Sequence, residues 1–333
     1  MSTLPFKQNS IIFAPMEGVT DGPYREVIQR IFGDWDYYYT DFYRIPSVGN
    51  VHAKTLIKHF GESYLQKKAH TNQTAYQFLT SEIAQTEQAI SLISEMNYHH
   101  IDLNLGCPSK KVNSNKGGAY LLSDLKALEK IIKQIREGFK NTFTVKIRIG
   151  YRDDSLYLDL LKLFEDCGVD GITIHARTRD QLYKGVADWS YIEKAVKLSN
   201  LPIIANGDIW TIEDINRIFD QCNPYAVMCG RSALKTPWLA SIYKEYQGNL
   251  DFISDEFLLK VRAQNLDLYF YELEKEYRKY GFVDSTILKR FKAFCRYLFD
   301  DYENFETIRG RFLRAQNIHE FRAHLDQFVA SYS

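Results

Sequence analysis

The chain has 333 residues, 45% hydrophobic and 25% charged, with 42 Lys+Arg balancing 42 Asp+Glu. This composition belongs to a globular protein and excludes a disordered, collagen-like or coiled-coil chain. No apolar run approaches the roughly 18 residues that span a bilayer, and residues 1–10 lack the charged and apolar regions of a secretory leader; a cytoplasmic protein without membrane attachment is expected.

In chain order, short apolar runs predict strands at 11–14, 37–40, 75–78, 101–104, 144–148, 171–175, 202–205 and 225–229. Segments of helical period separate them, at 81–96, 124–139, 156–167, 191–199 and 212–220. Strands alternating with helices in this way predict an α/β fold, a TIM (β/α)8 barrel, whose active site is built by the loops that follow the strand C-termini. A doubly wound sheet is the competing architecture. It loses support because no strand runs into G-x-G-x-x-G. After Pro237-Trp238 the text becomes helical, aromatic and charged, with helices predicted at 255–277, 285–302, 308–315 and 318–331. Two domains are therefore expected: a barrel over 1–247 and a C-terminal α-helical domain over 248–333.

The five cysteines, Cys107, Cys167, Cys222, Cys229 and Cys295, are odd in number and show no C-x-x-C spacing. Neither a disulfide framework nor a metal site is expected. Cys107 differs from the others because Gly106 and Pro108 place it in a loop at the end of a predicted strand; it is the candidate acid or nucleophile. The other chemistry-bearing residues also cluster at strand ends. Lys146 and Arg148 share one face of their strand by period two, and buried cations there need either an ion-pair partner or an anionic ligand. His175 and Arg177 open a basic, aromatic loop. Asn206-Gly207-Asp208 and Gly230-Arg231 follow the last two strands, where backbone N–H groups of a barrel hold phosphate; a single glycine there would read only as a turn. In the helical region Ile287, Phe291, Phe294 and Leu298 form one stripe, opposite Lys289, Lys292 and Arg296 with Arg290 at its side. That is either a solvated face or a phosphate-tracking one.

These residues, read as APMEGVTDGPYR (14–25), TDF (40–42), DLNLGCPSKKVN (102–113), KIRIG (146–150), HARTRDQLYKGVADW (175–189), ANGDIW (205–210) and GRSALKTPW (230–238), resemble the flavin-dependent tRNA-dihydrouridine synthases. LKRFKAFCRYL (288–298) resembles that family's helical tRNA-binding domain. The resemblance implies an FMN-bound barrel that reduces the C5=C6 bond of a tRNA uridine, with NADPH as reductant and no obligate protein partner. It implies that Pro15, Met16 and Glu17 line the flavin, that Gln77 and Lys146 contact its ring, and that His175 lies on its ribityl or phosphate side. Asn206, Gly207, Asp208, Gly230 and Arg231 would bind the phosphate region. Hydride would pass from flavin N5 to uracil C6, with Cys107 giving the proton to C5. Asp41, Asn104, Arg148 and Arg177 would hold the uridine and its phosphates, and Lys289, Arg290, Lys292 and Arg296 the rest of the tRNA. Pro-Met-Glu-Gly with Asn-Gly-Asp-Ile-Trp is similar to the subfamily acting on position 16 of the D-loop. Two rivals stand beside this reading: an FMN barrel reductase acting on a small molecule, and a tRNA-binding protein without catalysis.

Overall fold

The computed structural model describes residues 4–62, 68–96, 98–246 and 255–332. Its strands are β1 (Ser10–Phe13), β2 (Tyr37–Tyr39), β3 (Tyr43–Arg44), β4 (Thr74–Leu79), β5 (His100–Leu105), β6 (Thr142–Arg148), β7 (Gly171–His175), β8 (Ile203–Asn206) and β9 (Ala226–Cys229). All pairings are parallel. β1 pairs with both β2 and β9, and β2 pairs with β4 through Tyr38↔Thr74 and Tyr39↔Ala75, so eight strands close into a barrel. β3 is a two-residue addition beside the end of β4. The expected barrel is present, with strand limits shifted by a residue or two; β3 was not foreseen because two residues carry no readable period.

The helices, in chain order, are α1 (Gly22–Ile31), α2 (Ala53–Phe60), α3 (Lys68–Asn72), α4 (Ile83–Glu95), α5 (Lys110–Ser114), α6 (Leu125–Gly138), α7 (Tyr157–Asp166), α8 (Ser190–Leu198) and α9 (Ile212–Cys222). α9 shows how local sequence defines them. Thr211 accepts the Asp214 N–H at 3.2 Å while the Asp214 carboxylate accepts the Thr211 N–H at 3.2 Å, a reciprocal cap. Ile212, Ile215, Ile218 and Cys222 recur at helical spacing and are buried. Asn223 ends the helix in the left-handed region at φ 49°.

Period two divides each strand between the barrel interior and the helix layer. The interior itself is divided. Ile12, Ala14, Tyr37, Tyr39, Ala75, Ile204, Ala226 and Met228 form an apolar cluster joined by Leu4 and Phe6 of the N-terminal segment. β5 and β6 instead carry His100, Asp102, Asn104, Thr144, Lys146 and Arg148 at alternate positions, bonded to one another or to neighbouring strands and loops. Buried polar groups of this density are tolerated only when they are hydrogen-bonded, and the site grows from them.

Contacts group 1–22 with 36–230 as one unit, and 23–35 with 231–333 as a second. The second holds most of α1 together with α10 (Arg231–Lys235), α11 (Leu239–Tyr246), α12 (Asp255–Lys279), α13 (Asp284–Leu298), α14 (Phe305–Arg314) and α15 (Ile318–Ala330). Tyr24 of α1 packs at a tilt against Phe294 (5.4 Å between centroids), Trp35 Nε1 donates to the Pro237 carbonyl at 2.7 Å, and Arg30 meets Glu272 at 2.7 Å and Glu276 at 3.1 Å. The stripe Ile287, Phe291, Phe294 and Leu298 is buried, with Phe270 and Phe321 packed on Phe291 at 4.8 and 5.3 Å. The expected boundary at 247/248 falls on residues outside the described set, whereas the contact division falls at 230/231 and draws in α1 from the N-terminal part.

Candidate active site

Cys107 lies in the loop after β5, and three side chains hold its backbone. Asn104 Oδ1 accepts the N–H groups of Gly106 (3.1 Å) and Cys107 (2.9 Å), Asn113 Nδ2 donates to the Cys107 carbonyl at 3.0 Å, and Arg148 Nε donates to the Gly106 carbonyl at 3.0 Å. Gly118 closes the loop from the other side at φ +59°, where a Cβ would lie 2.9 Å from Val112 Cγ1 and 3.3 Å from Cys107 Cβ. Burial pushes the thiol pKa up; the Ser109 backbone pulls it down, Glu17 raises it, and Arg44 and Arg148 lower it by less. The result is a thiol that keeps its proton at neutral pH, suited to an acid rather than to a nucleophilic thiolate.

On the adjacent strand, in register with Asn104, Lys146 Nζ donates to Asn206 Oδ1 at 3.1 Å, and Asn206 Nδ2 donates to the Met228 carbonyl at 2.8 Å. Burial and then the Arg148 charge bring the Lys146 ammonium down to about 8, with Asp102 opposing. Gly207 follows at φ +113°; a Cβ there would sit 2.8 Å from His175 Cδ2 and 3.0 Å from Ala187 Cβ, so only glycine fits. Trp189 Nε1 fixes its carbonyl at 2.8 Å. Gly230 is less crowded, with Ala14 Cβ at 3.7 Å as the neighbour a Cβ would touch. Arg231 opens α10 directly after it.

The remaining candidate residues are placed as follows. Arg148 is buried, and its Nη1 donates to the carbonyls of Thr178 (2.9 Å) and Leu182 (2.8 Å) while its guanidinium lies over the Tyr183 ring at 5.5 Å. Arg177 is also buried. It pairs with Asp208 through both Nη atoms and donates to the carbonyls of Lys184 (3.2 Å) and Gly185 (2.7 Å). Asp208 accepts the Ala187 N–H at 2.8 Å as well, so this carboxylate clamps the β7 loop. Gln77 is fully buried between Asp102 and Asn104. Pro15 and Met16 are half-buried and Glu17 is exposed, in a turn where the Met16 carbonyl accepts the N–H groups of Val19 (3.0 Å) and Thr20 (3.1 Å). Asp41 faces His59 Nε2 at 3.4 Å. In α13, Lys289, Lys292 and Arg296 line a surface depression of about 500 Å³ with Ser285, Leu288, Ala293 and Leu313. Arg290 departs from them and packs over Tyr277 and Phe282, at 5.0 Å from each ring.

Sequence reasoning passed over His100, Asp102 and Thr144. Their signal was present as the alternation His100-x-Asp102-x-Asn104, which places three polar side chains on one face of a strand otherwise made of Ile and Leu.

The family model for dihydrouridine synthase (Dus) matches residues 12–304. A tRNA-dihydrouridine(16) synthase of Pseudomonas syringae pv. tomato is 33% identical over 233 residues, 69% of this chain and 73% of that one. One from Neisseria meningitidis serogroup A is 34% identical over 252 residues, 74% of each chain. A tRNA-dihydrouridine synthase B of Pasteurella multocida is 31% identical over 234 residues, 70% of this chain and 68% of that one. Among solved structures, a histamine dehydrogenase from Rhizobium sp. 4-9 superposes with a TM-score of 0.55 at 12% identity, over 79% of this chain and 49% of that one. A 2-naphthoyl-CoA reductase superposes with a TM-score of 0.51 at 11% identity, over 72% and 50%. This chain spans about half of each, and that likeness concerns the barrel fold alone. With the family model matching from within β1 to residue 304 and relatives 31–34% identical over about seven-tenths of each chain, the chain belongs to the dihydrouridine synthase family.

Proposed function

We propose that the protein is an FMN-dependent tRNA-dihydrouridine synthase that uses NADPH to reduce the C5=C6 bond of a D-loop uridine, position 16, in the cytoplasm. The observation that carries this reading is a thiol held protonated on a triply anchored loop at a barrel mouth that also presents Lys146 and Asn206. The residues fit a flavin. Gly207 turns the backbone at φ +113° beside His175, where a Cβ has no room, and an ammonium beside Asn206 suits an anionic ring. In this reading Lys146 and Gln77 meet the ring, Pro15 and Met16 line it, and Asn206, Gly207 and Gly230 lie toward its phosphate, with His175 beside Gly207.

When bound, a reduced flavin would supply the hydride for uracil C6, with NADPH as the source of its electrons. The chain's own residues do the rest. The target base has to leave its stack to reach the mouth. Cys107 gives the proton of its S–H bond to C5, where negative charge develops, and the thiolate left behind is reprotonated from solvent. Asn104 and Arg148 keep the thiol in place. Arg148, Arg177 and Asp208 serve as loop anchors in this reading, since their donors and acceptors already engage loop backbone. Lys289, Lys292 and Arg296 hold tRNA phosphates.

The test is nucleoside mass spectrometry of tRNA lacking dihydrouridine after incubation with the purified protein, FMN and NADPH. Dihydrouridine confined to position 16 is the expected product. A yellow protein that consumes NADPH and leaves tRNA unmodified would make a small-molecule reductase the better account.

A further inference from the structure

Beneath the Cys107 loop lies a chain of buried side chains, of which the proposed reaction uses only Gln77 and Asn104. Tyr37 OH is 3.2 Å from His100 Nδ1, His100 Nε2 is 2.8 Å from Thr144 Oγ1, and Thr144 Oγ1 donates to Asp102 Oδ1 at 2.6 Å. On the other side Gln77 Nε2 donates to Asp102 Oδ2 at 2.7 Å, and Asn104 Nδ2 donates to Gln77 Oε1 at 2.8 Å. Every member is buried, and the series ends on the N–H groups of Gly106 and Cys107.

The directions of these bonds follow from donor counting. An ionised carboxylate only accepts, so Gln77 must turn its NH2 toward Asp102. Its carbonyl then faces Asn104, which must present its own NH2 and is left with Oδ1 toward the loop. On the opposite arm Thr144 has one proton and gives it to Asp102. His100 Nε2 is therefore a donor to Thr144, and Nδ1 of the neutral ring accepts from Tyr37. Burial, which holds the imidazole down to about 3, agrees with a neutral ring. The hydrogens of both arms thus converge on one atom group. The amides of Gln77 and Asn104 are nearly symmetric in shape and could each turn end for end; a turned Asn104 would aim its NH2 at two backbone N–H groups and release the loop.

We propose that Asp102 is a positioning residue that sets the direction of this relay, and that Thr144 and His100 hold Asp102 in place, so that the three act on Cys107 from below through Gln77 and Asn104. The proposal rests on the reading of Cys107 as proton donor only for its catalytic consequence; the loop geometry stands without it.

Two readouts test it on the FMN-loaded protein. Long-range 1H–15N NMR of labelled histidine should show His100 neutral and protonated at Nε2 at pH 7, and a ring protonated at Nδ1 would overturn the assigned direction. Alkylation of Cys107 by iodoacetamide, followed at its own peptide, should speed up about tenfold in Asp102→Ala, the scale of one unsatisfied buried group. Reoxidation of the reduced enzyme by unmodified tRNA should slow by a similar factor or more, while flavin reduction by NADPH suffers less. Thr144→Val should speed alkylation in the same direction and Thr144→Ser should restore the wild-type rate, which keeps the test open if Asp102→Ala does not fold. Unchanged alkylation in both Asp102→Ala and Thr144→Val would overturn the proposal. Loss of tRNA reoxidation in the wild type with the alkylation pattern intact would instead count against the proposed substrate.

Discussion

Arg148 Nε donates to the carbonyl of Gly106 at 3.0 Å, one residue before the candidate acid, while the same guanidinium holds the carbonyls of Thr178 and Leu182 in the loop after β7. One planar fork thus ties two mouth loops together, and a point-like ammonium cannot reproduce it. Arg148→Lys is expected to lower the rate of reoxidation by tRNA by about 10- to 100-fold, the loss typical when a supporting contact is removed. Stopped-flow flavin absorbance measures it; a rate within twofold of wild type would remove Arg148 from the positioning role.

Gly207 offers a prediction about backbone. Its φ of +113° and the 2.8 Å approach a Cβ would make to His175 strain any side chain there. Gly207→Ala should cost about 1–3 kcal/mol of stability and weaken FMN retention together. Thermal unfolding and released-flavin fluorescence report the two effects; a variant that keeps its flavin and its melting point would show that the His175 ring gives way.

Lys146 is held down to about 8, so its ammonium is lost as pH rises through that value. If this charge holds the flavin ring, FMN binding must take up a proton above pH 8 and the Kd should rise by up to about tenfold per pH unit there. Lys146→Met should bind more weakly and lose that slope. Fluorescence titration from pH 7 to 10 decides it, and parallel slopes in the two proteins would assign the pH effect elsewhere.

His100 and Asp102 pull stability in opposite directions in acid. The folded protein holds His100 at about 3 against 6.5 for a free imidazole, so the unfolded chain binds the extra proton and stability falls as pH drops from about 6.5 toward 3. Asp102, raised to about 6 by burial with Lys146, Thr144 and Gln77 opposing, binds its proton more readily when folded, which adds stability as pH drops from about 6 to 4. Only the His100 contribution continues below that window. It amounts to roughly 3–5 kcal/mol at most, and His100→Gln should flatten the acid limb of a denaturation-against-pH curve. An unchanged limb would place the acid sensitivity outside the relay.

The face of α13 is tested by salt. Replacing Lys289, Lys292 and Arg296 with Ala should reduce the slope of log K against log salt for tRNA by roughly two to three, with little change between tRNA sequences. Arg290→Ala should act on thermal stability instead, because that guanidinium packs over Tyr277 and Phe282.

The barrel was legible because its strands are short apolar runs closed by loops rich in Gly, Asn and Asp, and 171–175 was read to the residue. α1 was not, since GPYREVIQRI follows directly on the loop motif and its contacts are with residues more than 200 positions away, such as Glu272 and Phe294. The strand-end residues could be named as a group from position. Their division into candidate reacting groups and loop supports could not. Position alone names Arg177 as a phosphate ligand and cannot show its ion pair with Asp208, 31 residues later, and Asp102 reads as part of a motif until the register of β4, β5 and β6 places Gln77 and Thr144 on either side of it.

Leu4 and Phe6 lie in the apolar cluster of the barrel interior, with Phe6 4.9 Å from Tyr37 and its carbonyl accepting Tyr225 OH at 2.9 Å. The vessel therefore has a stopper at one end, and the relay terminates directly above it at Tyr37. In the proposed reading a flavin and a flipped base would both enter from the opposite end, the mouth. Cofactor and substrate would then share one entrance, and the order in which they occupy it would be set at the mouth rather than within the barrel.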